Sequence, residues 1–233
     1  MELHILSGGA AQGLLAALSK EIDTATGCTL AATFGAVDAL KQKLEAGAPA
    51  DLVILTRAAI EELEHGGYVA AGSAVDIGIV HTGIAVRAGD PLPDIGTAVA
   101  LRAALLSAEA VYFPDPTLAT AGIHFAKVLR QLGLADELAG RIRTFPNGAT
   151  AMHALAHESM GVAIGCTQIT EILATPGTTL AGPLPHELEL ATVYTAAIGA
   201  RAAAPDQARR LAALLAGPGA AAARARAGMA AAA

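Results

Sequence analysis

The chain has 233 residues, a formal net charge of −6 and 54% hydrophobic residues, yet only 3% of its residues are aromatic and none is tryptophan. This length is enough for one large domain or two smaller ones. The acidic balance argues against nucleic-acid binding, and the scarcity of aromatic side chains argues against stacking platforms for bases or sugar rings. Alanine supplies much of the apolar content, and no run approaches the roughly 20 apolar residues of a membrane-spanning helix. A small-molecule anion is the expected partner, with no nucleic acid and no membrane insertion.

The first third of the chain alternates short apolar runs with helical patterns. Strands are predicted over residues 3–6, 29–34 and 52–55, and helices over 9–20, 36–46 and 58–65. Gly47 and Pro49 end the second of these helices, because glycine can adopt the left-handed conformation and proline cannot continue a helix. This alternation predicts β-α-β units and a parallel sheet.

The rest of the chain begins with a long extended segment over residues 75–86. It is followed by helices over 97–106, 121–131, 135–140 and 149–158, with strands over 111–113 and 161–164. A second extended segment, 188–198, precedes a helix over 206–215, and the Ala/Arg-rich residues 220–233 are predicted to fray. This order predicts two α/β lobes joined by two extended crossovers. Residues 1–80 and 196–233 would form lobe one and residues 81–195 lobe two, with a ligand cleft at the carboxyl ends of the strands.

Several segments resemble the molybdate-type solute-binding proteins of ABC transporters. LEAGAPADLVI closely resembles EAGAPADVFI of that family. ILSGGAAQGLLAAL, FPDPTLATAGIHFAKVLRQLGL, NGATAMHALAHESMGVAIG and RAAAPDQARRLAALLAGP resemble further family segments in the same order. The resemblance spans nearly the whole chain. It implies an α/β fold of the type II periplasmic-binding-protein class, with two lobes and a central cleft, and it implies an ABC permease as partner.

The same resemblance indicates a different ligand. The family binds its oxyanion through two serines, one in each of the first two strand-to-helix turns, and Ala10 and Val37 match these positions. Ser7 lies nearby in the first turn. Because an oxyanion needs several converging donors to replace its water shell, neither molybdate nor tungstate is expected to bind. The expected ligand is a small anion of the carboxylate type.

The candidate ligand-binding residues lie in turns that follow predicted strands. Small residues in the two first-lobe turns let a ligand approach backbone N–H groups, although a tight turn explains the first of them equally well. In the second lobe, the resemblance places backbone contacts at two further turns, and the turn after residues 161–164 offers side-chain donors. The candidates are Ser7, Gly8, Gly9, Ala10, Ala36, Val37, Ala121, Gly122, His124, Asn147, Gly148, Thr167 and Gln168.

Two side chains are candidates for acid–base or nucleophilic chemistry. His124, in the first turn of a second-lobe helix, could bind a carboxylate or transfer a proton, and a packed, partly exposed histidine is the equal alternative. Cys166 could be a nucleophile only with a lowered pKa and a partner base. Cys28 and Cys166 are expected to be unpaired buried thiols, so a plain thiol at the cleft is the simpler interpretation.

No metal or cofactor is predicted. His153 and His157 are spaced i, i+4 with Glu158 adjoining, but no third ligand and no HExxH pattern accompany them. An exposed helix face explains the pair. No nucleotide-binding motif is present either.

Three functions fit these observations. The first is a solute-binding protein that closes two lobes on a small anion. The alternative is an enzyme on the same fold, an isomerase, lyase or hydrolase of a small carboxylate that uses His124 with Thr167 or Cys166. The third is a ligand sensor. A strand begins almost at Met1 with no leader pattern, so a cytoplasmic location, which favours the enzyme, is expected if Met1 is the native start. A periplasmic location is expected if the sequence is a mature form.

Overall fold

The computed structural model describes residues 1–158 and 161–232, apart from the side chain of Glu158. Its first elements are β1 (Glu2–Gly8), α1 (Gln12–Ala17), α2 (Ser19–Thr26), β2 (Thr29–Gly35), α3 (Val37–Glu45), β3 (Leu52–Thr56), α4 (Arg57–His65) and β4 (Val75–Arg87). The remaining elements are α5 (Ala98–Ser107), β5 (Ala110–Pro114), α6 (Thr120–Gln131), β6 (Ile142–Phe145), α7 (Gly148–Glu158), β7 (Ala163–Gln168), α8 (Ile169–Ala174), β8 (Thr178–Pro183), β9 (Ala191–Ile198), α9 (Pro205–Ala216) and α10 (Ala221–Arg226). Short 3-10 helices lie at Gly9–Ala11, His186–Leu188 and Pro218–Ala220.

Contacts divide the chain into two compact units. Unit 1 comprises Met1–Val80 and Thr192–Ala233, and unit 2 comprises His81–Ala191. The chain therefore passes from unit 1 to unit 2 within the long strand β4, and it returns at the start of β9.

Unit 1 is built on the strand order β2-β1-β3-β9, in which the first three strands are parallel and β9 is antiparallel to β3. The sequence of β3 is an unbroken apolar run because both faces of this strand are buried. Leu52 and Ile54 pack with the helices α1, α2 and α9 on one side. Val53 and Leu55 pack with α3 and α4 on the other.

The strand order in unit 2 is β4-β7-β5-β6. The strands β5, β6 and β7 are parallel to one another. β4 is antiparallel to both β7 and β8. Side chains of β7 alternate between two cores. Ile164 and Cys166 pack on the side of α5 and α6, whereas Ala163 packs with Met152 of α7 and Ile172 of α8.

The connection from α3 to β3 is the glycine turn that the sequence predicts. Gly47 has φ 93°, its N–H donates to Leu44 O at 2.9 Å, and the Ala48 N–H donates to Lys43 O at 3.0 Å. These bonds satisfy carbonyl groups that the end of a helix leaves without a partner.

Asp51, which follows this turn, is a buried structural residue. Its carboxylate accepts the backbone N–H of His4 and that of Ala204, each at 2.8 Å. Asp51 thereby connects β1 to the segment that leads into α9. Because a buried carboxylate is stable only when it is hydrogen-bonded, these two donors explain how it is tolerated there.

Two local predictions are wrong. Residues 135–140 form successive turns rather than a helix, with Leu138 N donating to Leu134 O. The tail is ordered as far as residue 232 rather than frayed: Arg224 is buried and donates to the carbonyl groups of Leu215 and Gly217 at 2.5 and 2.9 Å. The elements β6, α8 and β8 are absent from the prediction. None of the helices in the described part of the chain is long and apolar enough to cross a membrane.

Candidate functional site

The first candidate turn of unit 1 is tightly packed. Ser7 is fully buried, and its Oγ donates to the carbonyl oxygen of Gly8 at 2.9 Å, so this hydroxyl is engaged within its own turn. Gly8 has little room for a side chain, because a Cβ there would lie 3.0 Å from Cε1 of Tyr194. Gly9 and Ala10 form the buried 3-10 helix that follows.

The second candidate turn lies beside the first. β1 and β2 are parallel neighbours in which Gly8 is in register with Gly35, so both turns leave the same edge of the sheet. α3 begins at Val37, and the methyl side chain of its N-cap residue Ala36 cannot accept a hydrogen bond from the first N–H groups of the helix. Such N–H groups are available to an anion. Ala10 and Val37 are both buried and aliphatic, so neither supplies a hydroxyl.

In unit 2, the turn before α6 is held by Asp115. Its Oδ1 accepts the N–H groups of Thr117 and Leu118, and hydrogen bonds with the Thr117 hydroxyl and N–H lower the pKa of Asp115. Gly122, in the first turn of α6, packs directly on this turn. A Cβ at that position would overlap the carbonyl oxygens of Pro114 and Asp115. Ala121 beside it is also buried.

His124 lies two residues further along α6 than Gly122 and is half-buried. A ring nitrogen, Nε2, lies 2.8 Å from Leu188 O. Since a carbonyl oxygen only accepts, Nε2 must carry the proton, which leaves Nδ1 as the ring atom for any further contact. The side chain therefore connects α6 to the 3-10 helix His186–Leu188 within unit 2.

Asn147 is the N-cap residue of α7. Its Oδ1 accepts the N–H of Thr150 at 2.9 Å, and the hydroxyl of Thr150 donates to Asn147 O at 2.8 Å. The side-chain oxygen of Asn147 is therefore used for capping, which leaves its Nδ2 amide group and the nearby backbone N–H groups for any ligand contact. Because β5 is parallel to both β6 and β7, the turn at Asn147 and the end of β7 at Gln168 lie at the same edge of the sheet as the start of α6.

A buried carboxyl group, that of Glu171 in α8, lies at this edge and is absent from the sequence prediction. The hydroxyl of Thr167 donates to Glu171 Oε2 at 2.5 Å, and backbone N–H groups of Ala149 and Gln168 also bond to the carboxyl. Burial raises its pKa to about 7, and these three hydrogen bonds limit the rise. Gly148 adjoins it so closely that a Cβ on Gly148 would overlap both Glu171 and Thr167. The sequence signal was the i, i+4 spacing of Thr167 and Glu171.

Gln168 and Thr82 are buried polar side chains opposite each other. They are in register on the antiparallel strands β7 and β4. Among the described residues, neither amide atom of Gln168 has a hydrogen-bond partner, and neither does the hydroxyl of Thr82. Unsatisfied buried polar atoms are rare in folded proteins and often mark a functional region. Thr82 is a second residue that the sequence pattern did not indicate.

Cys166 lies in the hydrophobic core of unit 2 and is completely buried. Burial raises the pKa of its thiol well above the usual value. Because the thiolate is the reactive form, this environment disfavours a nucleophilic role. Both Cys166 and Cys28 are free thiols.

Residues 3–230 match the family of bacterial extracellular solute-binding proteins. The chain belongs to this family. The predicted type II periplasmic-binding-protein fold is thereby confirmed, together with a solute-binding architecture.

Several known proteins are similar to this chain. It is 28% identical to aconitate isomerase from a Pseudomonas species over 215 residues, which are 90% of this chain and 80% of that enzyme. Its structure is similar to the periplasmic molybdate-binding protein of Azotobacter vinelandii, with a TM-score of 0.82 and 21% identity over 97% of this chain and 98% of that one. It is also similar to the sulfate-binding protein of Mycobacterium tuberculosis, with a TM-score of 0.75 and 17% identity over 98% of this chain and 86% of that one. At these identities the two solved structures establish the fold alone.

Two other regions of the chain lie apart from these turns. A cavity of about 490 Å³ in unit 1 is lined by the turn before β3, the end of α4 and the residues after β9. It lies at the amino end of β3, opposite the edge that carries Ser7 and Val37. His153 and His157 stack with ring centroids 4.3 Å apart on an exposed face of α7. Within the described residues, no group of three or more His, Cys, Asp or Glu side chains could hold a metal ion.

Proposed function

We propose that this protein binds a small carboxylate anion as the solute-binding component of an ABC transporter, outside the cytoplasm. The observation that carries the proposal is the chemistry of the first two turns. Ala10 and Val37 provide no hydroxyl, and the hydroxyl of Ser7 is already bonded to Gly8 O. The anion donors that unit 1 retains at this edge include the backbone N–H groups at the start of α3. In unit 2, the start of α6 and the amide of Gln168 are the corresponding groups.

These donors favour a carboxylate over a tetrahedral oxyanion. A carboxylate has two acceptor oxygens in one plane and can be satisfied by a few N–H groups and an amide. A molybdate or sulfate dianion has four oxygens and needs a more complete shell of donors to replace its water. The similarity to aconitate isomerase supports a carboxylate ligand, because aconitate is a tricarboxylate.

Isothermal titration calorimetry tests this proposal. Aconitate, its saturated analogue tricarballylate and citrate form one set of probes, and molybdate, tungstate and sulfate form the other. We expect micromolar or tighter binding of at least one tricarboxylate and no submicromolar binding of molybdate. The variants Ala10→Ser and Val37→Ser, alone and together, should increase molybdate affinity most in the double variant. Submicromolar molybdate binding by the unaltered chain would refute the argument from the missing hydroxyls.

A second candidate function is isomerisation of a small tricarboxylate. It is favoured by the similarity to aconitate isomerase, which covers 90% of this chain. Its acid–base group would be Glu171, because a carboxyl with a pKa near 7 can both accept and return a proton at neutral pH. The base would remove a proton from the methylene carbon of aconitate, the double bond would move, and the same group would return a proton to the other allylic carbon.

Proton NMR in D2O separates this function from simple binding. Incubation with cis-aconitate should give the trans isomer with deuterium on carbon if the protein is an isomerase. Glu171→Gln should then abolish turnover, whereas His124→Gln tests the histidine that the sequence favoured. Binding of cis-aconitate without conversion or exchange would exclude the isomerase function and leave the solute-binding function intact.

A further inference from the structure

The anion-binding groups predicted for unit 2 already hold a carboxyl group of the protein. Glu171 accepts the N–H of Ala149 in the first turn of α7, the N–H of Gln168 at the end of β7, and the hydroxyl of Thr167. These donors belong to the two turns that the sequence assigned to the ligand. When Glu171 of α8 is ionised, its negative charge therefore lies at the start of α7.

The carboxyl of Glu171 also adjoins the ligand turn itself. It packs against Gly148 so closely that no side chain could be placed on that residue. An anion bound to the backbone of Gly148 would therefore lie next to Glu171. Two buried negative charges at such a separation repel strongly, so each raises the pKa of the other.

No cation offsets this charge in the part of the chain that the structure describes. Of the elements packed against α8, α7 carries His153 and His157, whose side chains are exposed. β4, whose Gly83 lies against Ile169 of α8, carries His81 and also Arg87, which is paired with Asp90. β7 carries Cys166, which points into the core on the other face of the sheet. β8 carries no titratable side chain. The pKa of Glu171 is set by burial and by its hydrogen bonds, with no charged neighbour contributing.

We propose that Glu171 determines the specificity of the anion site in unit 2, and that a carboxylate ligand binds there together with one proton. The proposal rests on the carboxylate-binding function above. Binding transfers one proton from solvent to Glu171, and the resulting carboxyl O–H can donate to a ligand oxygen. The net charge of the buried pair then stays at −1. A compact dianion such as molybdate or sulfate, which stays fully ionised at neutral pH, would place both of its charges beside Glu171 and is disfavoured, whereas a tricarboxylate spreads its charges along its carbon chain and can place a single carboxylate there.

Calorimetry with tricarballylate measures this proton directly. This probe has no double bond, so isomerisation cannot interfere. At each pH between 6 and 9, titrations in two buffers that both buffer at that pH but differ in ionisation enthalpy give the number of protons taken up. Protons taken up by the ligand itself are common to all variants, so the difference between the unaltered protein and Glu171→Gln isolates Glu171.

We expect the unaltered protein to take up as much as one more proton per ligand than Glu171→Gln above pH 7. Its affinity should fall by up to about tenfold per pH unit above the pKa of Glu171, relative to that of the variant. Thr167→Val removes a hydrogen bond that lowers the pKa of Glu171, so the fall in affinity should begin at a higher pH. Thr167→Ser keeps the hydroxyl and should restore the pH profile of the unaltered protein. Asp136→Asn, an exposed carboxyl in the same unit, should match the unaltered protein.

The outcomes distinguish the two proposals. Equal proton uptake and parallel pH profiles in the unaltered protein and Glu171→Gln would overturn the role of Glu171 and leave carboxylate binding in place. Absence of tricarboxylate binding at every pH would overturn the proposed function instead. Should Glu171→Gln not fold, an unchanged pH profile in Thr167→Val would still refute the proposal.

Discussion

Replacing Glu171 by Gln should change how the stability of the ligand-free protein depends on pH. Burial raises the pKa of Glu171 from 4.5 to about 7 in the folded protein. In the unfolded chain the carboxyl returns to its ordinary value, so between these two pH values the folded state binds the proton and the unfolded state does not. Stability from this residue is therefore complete below the unfolded pKa and is lost as the pH rises through the folded pKa.

The size of this effect follows from the shift. A rise of this extent, at about 1.4 kcal/mol per pKa unit, corresponds to about 3 kcal/mol in total, of which about 2.5 kcal/mol falls between pH 5 and pH 8. Glutamine has the shape of the protonated carboxyl and cannot ionise. It should keep the bonds to the N–H groups of Ala149 and Gln168 without the loss of stability at high pH.

Urea unfolding followed by far-UV circular dichroism at pH 5, 6, 7 and 8 provides the measurement. The free energy of unfolding of Glu171→Gln, minus that of the unaltered protein, should increase by about 2.5 kcal/mol from pH 5 to pH 8. Asp136→Asn, which alters an exposed carboxyl, should show no such increase. If the difference between Glu171→Gln and the unaltered protein is independent of pH, the carboxyl is not held in the buried environment described above.

Three further predictions concern packing. Gly148→Ala should destabilise the protein by about 1–3 kcal/mol in urea unfolding, because the added Cβ would overlap neighbouring side chains. Gly140→Ala is the control, since a Cβ at residue 140 meets open space. Equal losses of stability in the two variants would contradict the packing described. Arg224→Ala should cost about 1.5–3 kcal/mol, because the buried guanidinium donates to two backbone carbonyl groups. The exposed Arg226→Ala should be nearly neutral, and a tail that frays in solution would make the two variants alike. Cys166 should react with a disulfide reagent at pH 8 only as fast as the protein unfolds, since burial raises its pKa, and rapid reaction in the native protein would indicate an accessible thiol.

Sequence patterns predicted those parts of the fold in which local and tertiary preferences agree. The apolar run of β3 is buried on both faces, so its composition alone marks it as an internal strand. The turn at Gly47 has the left-handed backbone that its glycine suggests. The long strand β4, Val75–Arg87, has nearly the bounds of the extended segment predicted over residues 75–86.

Elements that depend on distant partners were missed or misplaced. β7 continues through residues 165–168, a stretch that looks like a loop, because the distant strand β4 pairs with these residues, whereas β5 pairs with residues 163–165. α8 and β8 are each six residues long, too short for a periodic pattern to stand out. Residues 135–140 have helical composition but form only turns, since intrinsic helix propensity is too weak to decide a segment of this length.

The sequence by itself determined the class of fold, the turns that follow the strands, and the loss of hydroxyl groups at Ala10 and Val37, because these depend on residue type and order. Only the tertiary structure decided the chemistry at those turns. Glu171 is an ordinary charged residue in the sequence, and its raised pKa exists because β7 and α7 bury it beneath Gly148. Thr82 and Gln168 oppose each other only because two strands 86 residues apart pair in that register. Burial and register join distant residues, and no local pattern contains that information.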